Sequence, residues 1–159
     1  MNDVVSRNLQ RAAEEKGRAR DKYVSSAVDS ANKAVQLQPN SAAGQYLRGL
    51  ALASSDRYSE AESAFREATK LDPKDGKSWY GLGVALQKQN KTADAAQALE
   101  NAVKLDPTNS DARLLLAATL AKASPAKARE QIQILNQDWS LPAAKAQALS
   151  DLQKSISSQ

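Results

Sequence analysis

The side chains that most often carry out catalysis or hold metal ions are missing from this chain of 159 residues, which contains no histidine and no cysteine. These residues are the usual zinc ligands, the commonest general base and the thiol nucleophile. The six glycines are scattered and form no phosphate-binding loop of the Walker or dinucleotide kind. We therefore expect no enzymatic activity, no catalytic residue and no cofactor.

Two regularly placed aspartates are the remaining candidates for a metal site. Asp72 and Asp106 are far apart in the chain, and each comes directly before a proline. Side chains separated by so long an interval would be spread along one edge of the molecule and would not converge on one ion. We therefore expect them to serve turns and helix ends, and we predict no metal site.

The interval between these aspartates recurs through much of the chain. The recurring positions are Pro39, Pro73 and Pro107; Leu37, Leu71 and Leu105; Ala34, Ala68 and Ala102; Ala27, Ala61 and Ala95; and Gly49 and Gly83. The period is about 34 residues, and a fixed period of about 20–50 residues indicates a protein built from stacked structural units and not around a single globular core.

One unit, residues 76–109, shows the local structure that each period encodes. Its apolar residues recur at helical spacing in two groups, with a polar break at residues 89–91 between them. The two groups are Trp79, Leu82, Gly83 and Leu86, and then Ala95, Leu99 and Ala102. Pro107 disfavours helical geometry in the residue before it and so ends the second helix. The unit is therefore expected to be a helix–turn–helix hairpin.

This unit resembles the tetratricopeptide repeat family, including the length of its repeat. The residues that carry the resemblance are Trp79-x2-Leu82-Gly83-x2-Leu86, Ala95-x3-Leu99, Ala102 and Pro107. The resemblance implies an all-α, right-handed superhelical stack of helix–turn–helix repeats with a C-terminal capping helix. We expect one domain, 1–159, made of a degenerate first repeat 5–41, a repeat 42–75, the best-matching repeat 76–109, a shortened repeat 110–137 and a capping helix 141–157.

The other units depart from the family pattern at identifiable positions. Gln45 stands where the family favours tryptophan and Arg48 where it favours leucine, which suggests a more exposed or repacked first helix in that unit. Ser124 and Pro125 indicate an N-cap and a helix start after a shortened turn. The first helix of the opening unit is predicted at about residues 5–18, and Trp139 is expected to pack the final helix against the last hairpin.

The first helix of each hairpin carries a second, partly apolar stripe that the hairpin itself does not require. Stacking would align these equivalent positions, and the resemblance implies that they line a concave groove for an extended peptide or a helix. Tyrosine suits such a surface because its ring offers amphipathic contact area at low entropic cost. The predicted groove residues are Tyr46, Leu50, Ala53, Tyr80, Val84, Gln87, Leu114, Ala118 and Ala121, with Lys77, Lys88 and Lys122 at its rim.

The leading hypothesis is therefore a non-catalytic scaffold that binds a partly apolar peptide or helix of a partner protein. Members of the family that clamp the carboxylate tails of heat-shock chaperones carry lysine and asparagine where this chain has Leu50, Val84 and Ala118. A chaperone tail is therefore not the expected ligand. The rim lysines would favour an acidic partner, unless they are merely solvated.

Three alternatives stay open at this point. The stripe residues could simply seal contacts between consecutive hairpins or lie beneath the C-terminal helix. The protein could also be a self-associating assembly adaptor and form homo-oligomers. The arginine-bearing first helix could also attach to an anionic surface. The net charge of +4 is mild, so it argues only weakly for nucleic acid or a membrane surface.

The sequence gives little information about the cellular compartment. It has no run of about 18 apolar residues, so no membrane span is predicted, and its first 25 residues contain no secretory signal. Cytoplasmic and periplasmic proteins can both lack cysteine. The expected location is the cytoplasm or, if a signal was removed, the periplasm.

Overall fold

A computed structural model describes residues 1–137 and 142–157. These residues contain nine α-helices and no strand, so the predicted all-α solenoid is confirmed. The helices are α1 (Asn2–Glu14), α2 (Arg18–Leu37), α3 (Ala42–Ser54), α4 (Tyr58–Leu71), α5 (Gly76–Lys88), α6 (Thr92–Leu105), α7 (Ser110–Leu120), α8 (Pro125–Asn136) and α9 (Ala143–Ser157).

The helices form hairpins that stack side by side. The hairpins are α1–α2, α3–α4, α5–α6 and α7–α8, and the second helix of each packs against the first helix of the next. Helix α3 also contacts both α1 and α5, so the first helices of the first three hairpins lie side by side. Helix α9 packs against α8. The division of the chain into repeat units at the predicted boundaries stays a prediction.

Large side chains of the second helices fill notches that glycines leave in the first helices. The ring of Phe65 is so close that a Cβ atom on Gly49 or Gly81 would come within 2.6 or 2.5 Å of it. A Cβ atom on Gly83 would come within 2.6 Å of Leu99. Gly49 and Gly83 occupy recurring positions of the repeat period, whereas Gly81 lies outside them.

Side-chain caps begin the first helices of the second, third and fourth hairpins. Ser41 accepts a hydrogen bond from the backbone N–H of Gly44, Asp75 from those of Lys77 and Ser78, and Asn109 from that of Ala112. These bonds satisfy donors that the first helical turn would otherwise leave unpaired. Helix α8 begins at Pro125 as predicted, but the side chain of Ser124 makes no capping hydrogen bond.

The turn of the first hairpin comes earlier in the sequence than the turns of the next two hairpins would predict. Asp56 and Asn90 reverse the chain with positive φ, and their equivalent in the first hairpin would be residue 22. The reversal occurs earlier, at Gly17, where φ is 63°. Glycine adopts this conformation without steric cost. Helix α1 therefore ends at Glu14 and not near residue 18, and α2 has 20 residues where α4 has 14.

Helix α9 spans Ala143–Ser157, where residues 141–157 were predicted to form a capping helix. It buries Leu149 and Ile156 against the last hairpin. The prediction for Trp139 concerns a residue outside the described ranges. Within those ranges, no helix combines the length and the apolar character that crossing a bilayer requires.

Candidate partner-binding surface

The residues predicted to line a groove lie at the surface of α3, α5 and α7. Ala118 and the three rim lysines are exposed, and the others except Ala121 are half-buried. We call the set Tyr46, Leu50, Ala53, Tyr80, Val84, Gln87, Leu114 and Ala118 the first-helix strip. Since α3 and α5 are in contact, this strip runs from one hairpin to the next.

The two tyrosines of the strip are partly packed and partly accessible. The ring of Tyr46 lies 6.0 Å from that of Phe65, at an angle of 54°. Partial burial, then the charge of Asp75 and the neighbouring Tyr80, raise the pKa of Tyr46. Partial burial and the charge of Asp111 raise the pKa of Tyr80. Both phenols are therefore neutral at physiological pH, and each senses a group on the following hairpin.

Ala121 does not belong to the strip, so the prediction that it lines the groove was wrong. It is only 7% exposed and packs in the core with Leu120. Helix α7 has 11 residues, whereas α3 and α5 have 13. The shortened turn after α7 therefore turns Ala121 inward, unlike the half-buried Ala53 and Gln87 at the equivalent positions.

A hydrogen-bond donor precedes the first strip residue on each helix. Gln45, Trp79 and Arg113 occupy equivalent positions and donate to proline carbonyl oxygens at 3.4, 3.0 and 3.1 Å. The acceptors are the carbonyl oxygens of Pro39, Pro73 and Pro107, six residues earlier in each case. These bonds tie the start of each first helix to the preceding loop. They therefore fix the orientation of Tyr46, Tyr80 and Leu114, which follow directly.

These donors show that Gln45 is not an exposed substitute for tryptophan. The residue is only 7% exposed, so of the two predicted alternatives the structure fits repacking and not greater exposure. Arg48, which stands where the family favours leucine, donates to Asn32 Oδ1 at 2.9 Å. Sequence reasoning missed the donors because it compared side-chain size and apolarity. The available signal was an N–H-bearing side chain six residues after each recurring proline.

A largely buried carboxylate, also missed by sequence reasoning, joins the second hairpin to the third. Glu62 on α4 accepts hydrogen bonds from Arg66 Nε at 2.9 Å, Lys91 Nζ at 2.8 Å and Gln89 Nε2 at 2.9 Å. Its burial disfavours ionisation, but the bonds from Lys91, Arg66 and Gln89 outweigh that effect and lower the pKa of Glu62. We call these four residues the Glu62 clamp.

The recurring aspartates serve the turns, as predicted. Asp72 accepts a hydrogen bond from the backbone N–H of Lys74 at 3.0 Å. Asp106 accepts one from the backbone N–H of Thr108 at 3.1 Å and another from its hydroxyl at 2.6 Å. Within the described part of the chain, no cluster of three or more potential ligands among aspartate and glutamate could hold a metal ion.

The hairpin stack and its repeat period match a known protein family. The sequence profile described as tetratricopeptide repeat matches residues 6–76, 46–107 and 80–134. The chain belongs to the tetratricopeptide repeat family. This membership supports a role as a protein-interaction scaffold. None of the curated proteins matches the sequence.

Solved structures share the tetratricopeptide fold at low sequence identity. YrrB, a TPR protein with an unusual peptide-binding site, is 19% identical with a TM-score of 0.70, and the match covers 96% of this chain and 83% of YrrB. The first TPR domain of Spaghetti (RPAP3), bound to the HSP90 peptide SRMEEVD, is 20% identical with a TM-score of 0.63, and the match covers 78% and 97%.

An enzyme also contains this fold as one of its parts. An O-GlcNAc transferase mutant from Thermobaculum terrenum is 22% identical with a TM-score of 0.65, and the match covers 83% of this chain. The match covers only 25% of that enzyme. At such identities these likenesses show the fold alone.

Proposed function

We propose that this protein is a non-catalytic scaffold that binds a partly apolar peptide or helix of a partner protein along the first-helix strip. The observation that carries the proposal is the set of half-buried residues at equivalent positions on successive first helices. Tyr46 and Tyr80 are the principal contacts. The peptide-binding site of YrrB and the peptide bound to RPAP3 support a peptide-binding role for this fold.

The chemistry of the strip favours an apolar partner surface. Leu50 and Val84 are half-buried and Ala118 is exposed, so a partner side chain that covers them removes apolar area from water. Such burial contributes about 25 cal/mol per Å². The tyrosine hydroxyls add hydrogen bonds at the border of this contact. A carboxylate-clamped chaperone tail is not proposed, because these three positions offer it no donor.

A test of the strip must separate binding from stability. Both tyrosine rings are half-buried, and that of Tyr46 packs near Phe65, so part of each ring stabilises the fold. The chain provides a matched control, since its other two tyrosines lie outside the strip. Tyr23 lies against the guanidinium of Arg11, and the hydroxyl of Tyr58 donates to Asp56.

The first experiment is affinity capture of partners from an extract of the source organism. Tyr46→Ala with Tyr80→Ala should lose the proteins that the wild type captures, while Tyr23→Ala with Tyr58→Ala should retain them. Circular dichroism and thermal melting of each variant show whether the fold persists. Capture of the same partners by a folded strip variant would refute the proposed contacts.

A second pair of variants changes the strip without touching the core. Ala118 on α7 and Ala126 on α8 are both exposed, so glutamate at either position should change stability by at most about 0.5 kcal/mol. Ala118→Glu introduces a charge into the apolar strip and should abolish capture of the partner. Ala126→Glu should have no effect on capture, and equal losses in both variants would exclude a specific site at Ala118.

Self-association is the second candidate function. Leu37 is 69% exposed and Val4 is 43% exposed, both on the first hairpin, and an exposed apolar area can pair with another copy. Light scattering over a range of concentrations tests this candidate. A strict monomer at high concentration eliminates it.

A further inference from the structure

The two long edges of the hairpin stack differ in charge. The turn edge holds the turns within hairpins, residues 14–18, 54–58, 88–92 and 121–125. The loop edge holds the loops between hairpins, residues 37–43, 71–77 and 105–111. The turn edge carries six lysines and arginines against three carboxylates, whereas the loop edge carries two lysines against four aspartates. The charge therefore changes sign across the width of the stack.

The aspartates of the loop edge are engaged within the chain. Asp75 caps α5, and Asp106 accepts hydrogen bonds within its own turn. Asp111 forms an ion pair with Lys145, at 2.9 Å between Nζ and Oδ2. These carboxylates already have donors, so they offer little to a partner.

Two lysines of the turn edge, in contrast, lie beside the first-helix strip without an internal partner. Lys88 and Lys122 are exposed, occupy equivalent positions and follow Gln87 and Ala121 in the chain. Neither makes a hydrogen bond or an ion pair with any residue in the described ranges. Arg57 and Lys91 of the same edge are paired, with Glu60 and Glu62 respectively.

We infer that the partner segment carries carboxylates along the side that faces the turn edge, where Lys88 and Lys122 bind them, and apolar side chains toward the strip. This inference rests on the proposed function. Exposed charge pairs contribute little affinity individually, but complementary charges fix the orientation of a bound segment. The two lysines therefore determine which way round the partner lies across the strip.

Selection from a displayed library of random peptides against the immobilised full chain tests this inference without a known partner. The wild type should enrich peptides that combine apolar residues with aspartate or glutamate. Lys88→Glu with Lys122→Glu should lose that preference and enrich peptides that contain lysine or arginine. A matched control, Lys33→Glu with Lys104→Glu, changes the net charge equally at exposed lysines of α2 and α6 and should select as the wild type does.

Fluorescence anisotropy with one enriched acidic peptide then measures the effect. The turn-edge variant should bind it roughly tenfold more weakly, because two attractions become repulsions. Binding by the wild type should weaken as salt rises from about 0.05 to about 0.5 M, since the Debye length falls well below about 10 Å. The control variant should stay within about twofold of the wild type.

The outcomes distinguish this inference from the proposed function. Enriched peptides without an acidic preference would overturn the inference and leave the strip as a binding site. No enrichment on the wild type would overturn both. Vesicles of phosphatidylglycerol and phosphatidylcholine provide a further arm. If they bind the wild type and not the turn-edge variant, and no acidic peptide is enriched, the lysines serve an anionic surface and the inference fails.

Discussion

The joint between the first and second hairpins and the joint between the second and third occupy equivalent places but are built differently. The second joint contains the Glu62 clamp, in which a largely buried carboxylate receives three hydrogen bonds. The first joint has Val28, Ser55 and Arg57 at the positions of Glu62, Gln89 and Lys91. Arg57 there binds the exposed Glu60 instead.

The two joints also place the larger of their two apolar side chains on opposite helices. In the second joint the large side chain, Phe65, comes from the second helix and meets Gly81 on the next hairpin. In the first joint the equivalent positions hold Ala31 and Leu47. The second joint thus contains a largely buried carboxylate clamp, whereas the first joint is connected by hydrogen bonds from Arg48 to Asn32 and from Arg20 to the carbonyl oxygen of Ser54.

This comparison shows how a repeat protein can vary its rigidity along its length. Stability in a stacked array is approximately a sum of unit and neighbour terms, so a local difference between joints is not averaged over the whole fold. Tyr46 and Tyr80 lie on the two hairpins that the Glu62 clamp connects. The clamp therefore holds the central part of the first-helix strip in one arrangement.

Phe65→Ala should have the largest effect, because it empties the notches at Gly49 and Gly81 together. We expect a loss of about 3–5 kcal/mol of unfolding free energy, measured by urea titration. Ile132→Val, a small deletion in the last hairpin, is the control and should cost about 0.5–1.5 kcal/mol. A loss for Phe65→Ala no larger than that of the control would mean that the second joint depends little on this ring.

Glu62→Gln should lower the unfolding free energy by about 1–2 kcal/mol at pH 7, or roughly 2–8 °C in melting temperature. The pKa of Glu62 is lowered in the fold from its ordinary value of 4.5. Stability from the ionised clamp is therefore fully present above about pH 4.5 and is lost as pH falls through the lower folded pKa. The wild type and the variant should melt alike below that pKa.

The matched control for the clamp is Glu60→Gln, which removes the carboxylate that Arg57 binds in place of a clamp. Glu60 also accepts hydrogen bonds from a cation, and the bond from Arg57 lowers its pKa, but it is exposed. Solvent screens such a pair, so no measurable change in melting temperature is expected. Equal shifts in the Glu60 and Glu62 variants would remove the proposed difference between the joints.

Hydrogen exchange should show the difference in the unaltered protein. Amides of α1 should exchange at least about tenfold faster than those of α5, because the first joint opens at a lower free energy. Glu62→Gln should accelerate exchange in α5 and α6 and so reduce the difference in exchange rate between α1 and α5. Equal protection of α1 and α5 in the wild type would contradict the comparison.

Gln45→Leu should have the smallest effect on the free energy of unfolding and leave it close to that of the wild type. The hydrogen bond it removes is long, at 3.4 Å, and the Oε1 atom of Gln45 is buried without a partner in the described structure. Losing the bond and removing the unpaired oxygen therefore nearly offset each other. Trp79→Phe, which removes a bond of 3.0 Å in the second joint, should cost about 1 kcal/mol. Chemical denaturation compares the two variants.

The sequence predicted the parts of the fold that depend on local spacing. The repeat period located α3 to α6, and the recurring aspartates indicated their turn roles correctly. The displaced first hairpin could not be predicted in this way, because the spacing placed its first helix at about residues 5–18 and Gly17 reverses the chain earlier. Ala121 was misplaced for a similar reason, since the shortened turn after α7 changes which way that residue faces.

The contacts between hairpins were beyond sequence reasoning for a different reason. The partners of Glu62 include Gln89 and Lys91, 27 and 29 residues away, and no short-range pattern links them. The candidate strip depends only on which face of each helix is free, so its proposed residues could be named from periodicity. Their role in binding stays a prediction.

The side chains that donate to proline carbonyl oxygens have a consequence for the design of new repeat arrays. An indole, a carboxamide and a guanidinium at positions 79, 45 and 113 all reach the same kind of carbonyl oxygen. In a designed array, this position requires only a side chain that is long enough to donate an N–H to that oxygen. The residue can then be chosen for its effect on the neighbouring surface. Repeats that differ in the residue at this position can therefore keep the same connection to the preceding loop.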